Sequence, residues 1–391
     1  MSEAADTKDR RLRLLEILKN NEFDDSLEGR YYTSQRKKIL YILILIVVIF
    51  FTSVIALSIG AVDIPLTETL KAIGHALFPW WIGNPSESYY STILFKGRLP
   101  RICLTILTGV SLAAAGQIMQ GILRNPLVSP FTLGVSTAAS FGAAMSIVFG
   151  AAIFGSVYYM TFTIGSMTMN ISDIATALFA FIFGLISIGI VLLLTRRNYV
   201  SRSVVILSGV VISYLFQAGI MLAKYMSDDD SLREITLWIM GGMWNATWAS
   251  VFVTLPVVIV CVIFLEKMAI DINTLSSGDE VASNLGVDVQ KLRRNGLIIS
   301  TLVTSVCIAF TGVIGFIGLM APHICRMMIG NDCRYLLPTA ACMGALILLI
   351  SDTVARVVIR PDDLPVGIIM YVLGGIFFIW MVTSKNWGKR V

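Results

Sequence analysis

An all-α, polytopic membrane fold with ten transmembrane helices is what this sequence predicts, and three observations carry that prediction. Of its 391 residues 56% are hydrophobic and only 14% are charged, with a mean hydropathy of +0.80; a soluble chain carries roughly 25% charged residues. The apolar residues gather in blocks of about 20, the length of helix that crosses a hydrocarbon core of roughly 30 Å. The blocks are continuous rather than alternating runs of about 10 residues, which excludes a transmembrane β-barrel.

The chain opens on a charged segment, 1–38, which is no cleavable signal because the first apolar run comes too late and is too long. It reads as a cytoplasmic extension. Within it "RRLRLLEILKN" suits a basic amphipathic surface helix, and a solvated tail fits equally well. Apolar spans follow at about 39–60, 102–123, 131–152, 174–195, 203–225, 247–266, 295–314, 335–356 and 366–384, with a shorter segment near 317–329.

Small residues recur at intervals of four in the second and third spans, as Gly109, Ala113 and Gln117, as Ser111 and Ala115, and as Gly134, Ala138 and Gly142. Such stripes let helix backbones approach closely where lipid removes the hydrophobic drive between them. Between these two spans "RNPLVSP" (124–130) makes a tight corner, since Pro126 and Pro130 fix the backbone and stop the helix from continuing. Lys224 sits where it can snorkel from a helix end, and Asp352 and Arg356 stand four apart, where they can pair on one helix face.

Lysine and arginine placement sets the orientation. With the short segment crossing, 22 of the 30 lysines and arginines fall on the side of the N-terminus, among them Arg124, Lys267, Arg293, Arg294, Arg326 and Lys385, while the opposite side carries acid as "SDDDSLRE" (227–234) and "RPDD" (360–363). Ten crossings with both ends inside satisfy the rule. "GILRNPLVSPFTLGVS" (121–136) and "GFIGLMAPHICRMMIG" (315–330) share proline and arginine beside glycine-flanked apolar stretches, which hints at two related halves.

One inner loop is organised. In "SSGDEVASNLGVDVQKLRRN" (276–295) Ser277 and Glu280 suit a capping box, Gly286 suits a helix C-terminus, and Asp288 suits the cap of a second short helix, "VQKLRR". Such a loop predicts a docking surface for a cytoplasmic partner or a helix lying on the membrane. The residues needed for chemistry are missing: six scattered cysteines form no CxxC pair, the two histidines lie far apart, and there is neither an HExxH motif nor a phosphate loop. No catalytic, metal-binding or nucleic-acid-binding set is expected, and any ATP would be bound by another subunit. A stand-alone secondary transporter, the alternative, would need ionisable residues at membrane depth, and the spans show no midplane acid.

"GRLPRICLTILTGVSLAAAGQIMQGILRNPLVSPFTLGVSTAASFGA" (97–143), "GDEVASNLGV" (278–287), "TGVIGFIGLMAPHICRMMIGNDCRYLLP" (311–338) and "ISDTVARVVIRPDDLPVGIIMYVLGGIFFIWMV" (350–382) resemble the permease subunits of ABC importers for iron-siderophores, haem and vitamin B12, of FecCD type. The resemblance covers residues 40–385 or so, with the motifs in the expected order. It implies a vitamin B12 permease-like domain over 39–385, a short cytoplasmic tail at 386–391, and a solute that is a ferric siderophore or related chelate. The implied partners are a second permease copy, two cytoplasmic ATPases that hold ATP and magnesium, an extracytoplasmic solute-binding protein and the lipid bilayer of the inner membrane.

The same resemblance implies the sites. The 124–130 turn becomes a cytoplasmic gate, with Asn125 and Leu127 toward the path and Asn198, Tyr199 and Ser201 completing the closure. The coupling loop becomes 277–294, carried by Gly278, Asp279, Glu280, Ala282, Leu285, Gly286, Arg293 and Arg294. Arg98, Arg101 and Arg356 become docking residues for the binding protein, matched by charge, and Gln217 and Met221 are expected along the path.

Overall fold

The computed structural model describes residues 27–81, 83, 85–164, 167–195 and 202–383. Among them nine helices are long and apolar enough to cross a membrane: α1 Leu27–Ser58, α3 Leu99–Leu123, α4 Val135–Phe154, α5 Ile171–Leu194, α6 Arg202–Met226, α8 Trp248–Lys267, α11 Val289–Thr311, α13 Cys333–Val358 and α14 Val366–Thr383. Shorter elements fill the ends: α2 Leu66–Leu77, α7 Asp229–Met240, α9 Ala269–Ser276, α10 Asp279–Asn284 and α12 Ile317–Ile329. A short helix Ser88–Thr92 and a π-turn Ile93–Arg98 lead into α3, and a two-stranded hairpin, β1 Thr161–Ile164 with β2 Met167–Asn170, joins α4 to α5 in the register Thr161 to Asn170.

The tenth crossing is composite. α12 has 13 residues and reaches only about 20 Å. The buried, non-helical stretch 312–316 ahead of it makes up the distance, held where Gly312 lies against the Trp238 carbonyl and Gly241 against that of Val313. The chain therefore returns before α13, and both described ends emerge on one face. That face, the first, also carries the α3–α4 turn, α9 and α10; the loops 59–65 and 359–365 and the hairpin lie on the second.

α3 is the hub, packed against α13, α11, α12, α8 and α9, and 83% of its most apolar window is buried. Two glycine pairs explain how one helix holds so many neighbours. Gly109 faces Gly344 of α13, where an added Cβ would lie 2.5 Å from the Gly344 carbonyl oxygen, and Gly116 lies against Gly318 of α12 even more closely. The predicted stripe Gly109–Ala113 is this contact, and Gly142 makes the equivalent approach to the Phe179 carbonyl of α5. Gly134 belongs elsewhere: with φ +80° it is the N-cap of α4.

Helix α1 starts at Leu27, within the segment 1–38, while "RRLRLLEILKN" and the tail 386–391 lie outside the described residues. Three expectations are corrected. "VQKLRR" is no separate helix but the first turns of α11, capped as expected by Asp288, whose carboxylate accepts the Lys291 N–H at 3.0 Å. The Ser277–Glu280 capping box is absent, because Gly278 at φ +125° is the N-cap of α10 and supplies no side chain. The two stretches proposed as a repeat fold differently, one as a helix end and turn, the other as a buried helix.

Gly116→Val is expected to leave little folded protein, since overpacking costs about 1–3 kcal/mol even where side chains can shift and the obstacle here is backbone. Gly189→Ala, with nothing within 4 Å of the new methyl, is expected to be tolerated. Thermal unfolding in detergent separates them, and equal midpoints would remove the close approach as the organising contact.

Candidate functional site

The corner on the first face starts where α3 ends. Arg124 takes the left-handed conformation, φ 48° and ψ 43°, and the Asn125 N–H still reaches back to the Gln120 carbonyl at 3.2 Å. The Asn125 side chain then accepts the Leu127 N–H at 2.9 Å, a local turn that asparagine makes readily. Ser129 and Thr132 lock the following turn through the Thr132 hydroxyl, at 3.0 Å and 2.8 Å. Val128, Ser129 and Pro130 are buried while Leu127 is 49% exposed. The turn thus projects one apolar side chain, beside Asn125, away from the bundle.

α10 lies next to this turn. Ala282 is fully buried in a cluster with Ile272, Leu275, Leu292, Ile118 and Ile122, which seats the helix on α3, α9 and α11. Its outer side shows Glu280, Val281 and Leu285, the last 69% exposed. Gly286 at φ +89° ends the helix, with the Val287 N–H returning to the Ala282 carbonyl at 3.0 Å. Asp279 binds Arg293 at 2.7 Å and approaches Arg124 at 4.0 Å, and Arg293 also donates to the Ile122 carbonyl at 3.4 Å. One carboxylate therefore joins the α10 start, the α11 start and the corner. Arg294 is exposed and donates to the Asn295 side chain at 3.3 Å.

The second face holds an arginine cluster. Arg98, 7% exposed, donates to the carbonyls of Leu57 and Ser58, at 2.5 Å and 3.0 Å, and to that of Val62. Arg101 grips Asp352 through Nη2 at 2.9 Å and through Nε at 3.1 Å, and also reaches Asp363. Arg356 pairs with Asp352 at 3.3 Å, as its spacing predicted, and donates to the Ile59 carbonyl at 3.0 Å. These groups line a crevice of about 390 Å³ with Trp244 and Val62. Nearby, Arg360 forks onto Asp63 at 2.7 Å and 2.9 Å, and this hydrogen bonding holds the exposed Asp63 carboxyl below the usual aspartate range.

The arrangement gives two polar clusters at opposite ends of one helix bundle, with no group of three or more metal-ligating side chains among the described residues. Of the gate residues, Asn125 and Leu127 come together at the corner, whereas Asn198, Tyr199 and Ser201 lie outside the described residues. Gln217 and Met221 sit on α6, Gln217 partly buried and Met221 62% exposed. Met221 belongs to an outward apolar face with Leu207, Val211, Tyr214 and Tyr225. Sequence reading missed Asp63, Asp363 and Arg360, whose partners are distant in the chain.

Comparison with known proteins adds to this geometry. The profile of the FecCD transport family matches residues 44–384. An ABC transporter permease protein of Methanocaldococcus jannaschii is 38% identical over 363 residues, 93% of this chain and 99% of that protein. The hemin transport system permease protein of Yersinia pestis is 37% identical over 289 residues, 74% of this chain and 82% of that protein. A solved structure of a metal-chelate type ABC transporter in an inward-facing conformation superposes with a TM-score of 0.73 at 27% identity, covering 87% of this chain and 98% of that one.

Asp352 is wholly buried, so Arg101→Met is expected to cost about 3–5 kcal/mol of stability by leaving its charge short of a partner. Arg360→Gln, on the exposed Asp63, is expected to leave the unfolding midpoint unchanged near neutral pH. Because the folded Asp63 carboxyl is held down, its tie persists above the ordinary aspartate range and is lost only as pH falls through the lowered value. Unfolding midpoints for both variants, with hydrogen exchange over 59–65 between pH 7 and 3, test the pair of assignments.

Proposed function

The chain belongs to the FecCD transport family, and from that premise we propose that it is the membrane permease of an ATP-driven importer for an iron chelate. A ferric siderophore heads the solute classes, followed by haem and cobalamin. The observation that carries this reading is α10: a six-residue helix seated by Ala282 and tied by Asp279, yet turning Leu285 and Val281 away from the bundle. A short helix held firmly on one side and exposed on the other suits insertion into a partner, and with no phosphate loop in the sequence, that partner brings the ATP and magnesium.

The rest of the assembly follows. The first face lies in the cytoplasm of a cell whose inner membrane the chain crosses, and both termini lie on that side. Two ATPase subunits receive the two coupling loops of a permease pair; Gly278, Glu280 and Gly286 shape the loop, and Arg293 and Arg294 flank it. The exposed face of α6, with Met221 and the neighbouring Gln217, meets the second copy around the path. Asn125 and Leu127 close that path from the cytoplasm, together with Asn198, Tyr199 and Ser201. On the outer side a solute-binding protein docks over the arginine crevice. Arg98 is the best placed of the three, since its hydrogen bonds go to carbonyls rather than to a carboxylate and a partner's carboxylate can complete its charge; Arg101 and Arg356 share Asp352 and hold the crevice in shape.

Leu285→Glu is the direct test. Purified gently from its native membrane, the wild-type chain is expected to bring a stoichiometric ATP-binding subunit and ATPase activity. The variant is expected to lose both while keeping its unfolding midpoint, because Leu285 is 69% exposed. Solute uptake into liposomes by the permease without ATP would overturn the reading in favour of a secondary carrier.

A further inference from the structure

A polar chamber of about 330 Å³ opens on the first face, walled by the end of α3, the corner, α9, the end of α12 and the start of α13. The proposed importer function uses only its rim, where Asn125 belongs to the corner. Its deepest charge is Arg326. One amino group of that guanidinium, Nη2, is held by the side-chain oxygens of Gln120 at 2.9 Å and Gln117 at 3.4 Å. Both amides are buried, at 3% and 2% exposed, and both are fixed at their other ends, Gln120 to the Gly318 carbonyl at 3.0 Å and Gln117 to the Cys333 sulfur at 3.7 Å. Two neutral amides therefore orient the arginine without neutralising it.

The remaining lining mixes polar side chains with Ile272 and Leu336, and among the described residues it contains no acid. His323, one turn before Arg326 and only 8% exposed, faces the chamber with its ring 6.0 Å from that of Phe377. Arg124 stands at the rim, and Asn125, Asn273, Ser276 and Asn331 complete the polar wall. No carboxylate is among the lining residues. Of the acids outside the wall, Asp332 is engaged with Arg334 at 2.8 Å and Asn273 at 2.8 Å and Asp279 with Arg293 at 2.7 Å, while Glu266 lies behind Cys333 with one carboxylate oxygen buried.

We propose that this chamber binds a phosphate-bearing anion, presented as the headgroup of an anionic phospholipid or as free phosphate. A half-buried guanidinium matched only to amides is costly unless an anion completes it. With Nη2 taken by the two amides, Nη1 and Nε of Arg326 remain to donate to phosphate oxygens, and the His323 ring lines the same chamber. The volume exceeds what a phosphate needs and lies in the range of small-ligand pockets, leaving room for a glycerol backbone. The chamber also sits at the helix ends, the level at which basic pockets between membrane helices take anionic headgroups.

The site is tested by binding on the full purified chain, a readout that needs neither ATP hydrolysis nor transport, so its outcome is separate from that of the importer reading. The protein is stripped of lipid in neutral detergent and its unfolding midpoint followed at constant ionic strength. The additions are inorganic phosphate, dihexanoyl phosphatidylglycerol or dihexanoyl phosphatidylcholine. A midpoint raised by phosphatidylglycerol, with half-saturation at least about tenfold weaker in Arg326→Gln, is the expected result. A rise with phosphate as well makes the free anion sufficient, and a rise with phosphatidylglycerol alone makes the headgroup the ligand. Should Arg326→Gln fail to fold, Asn331→Asp, which puts a carboxylate into the wall, is expected to weaken binding in the same sense. Equal shifts with phosphatidylcholine, or shifts that survive both substitutions, would overturn the proposal.

Discussion

Everything in this molecule leans on how closely α3 can be approached. In a bilayer the helices gain nothing by hiding apolar surface from one another, so contact has to come from dispersion and close fit. Gly109 against Gly344 and Gly116 against Gly318 bring α13 and α12 to backbone distance along successive turns of one helix. That spacing fixes where α12 can lie, and so explains how a 13-residue helix serves as part of a crossing: it hangs from α3 rather than spanning by itself. Gln120 adds a polar bond to the same contact by donating to the Gly318 carbonyl at 3.0 Å.

Both functional clusters are attached to the ends of this helix. Arg98 and Arg101 stand at its second-face start, and Arg124 is its first-face cap. A 25-residue helix is roughly 37 Å long, so the arginine crevice and the corner are joined by one element with little freedom to bend. Asp279 then ties the corner to the start of α11 and to α10. Pushing on the exposed side of α10 therefore loads the corner through charge contacts, and the first-face machinery acts as a unit instead of as separate loops.

The sequence disclosed the spans well because hydropathy over 20 residues is a strong signal, and α12 kept its sequence-read limits since Gly330 and the break at 312–316 bracket it. What stayed hidden depended on distance or on backbone conformation. The α10 start could not be read from Ser277 and Glu280, because a glycine at φ +125° turns the chain away from capping-box geometry. The acidic stretch 227–234, read only as an outer segment, contains the start of α7, with Asp228 accepting the Ser231 N–H at 3.2 Å. The hairpin at 161–170 is too short for its alternation to stand out beside the apolar blocks. Arg101 found Asp352 at a separation of 251 residues, which no local pattern encodes, while the Asp352–Arg356 pair four apart was legible.

The two sides of α3 are not equally bonded, and this bears on which neighbour can shift. Toward α12 and α13 the glycine pairs and Gln120 fix it. Toward α11 the bundle carries buried hydroxyls: Thr108 on α3 and Ser300, Thr301, Thr304 and Ser305 on α11 have no hydrogen-bond partner among the described residues, Ser305 lying against Gly184 of α5. Polar contacts between α3 and α11 are Cys307 to Ser111 at 3.2 Å and, at the first-face end, Arg293 to the Ile122 carbonyl at 3.4 Å. Small hydroxyl side chains allow close packing, and between those two points a displacement breaks few directional bonds. α11 is also the helix whose first turn carries Arg293 and whose cap, Asp288, follows directly on α10. The sparsely bonded seam thus belongs to the helix that the proposed coupling loop enters, while the proposed gate corner stays with the helix held by the glycine pairs.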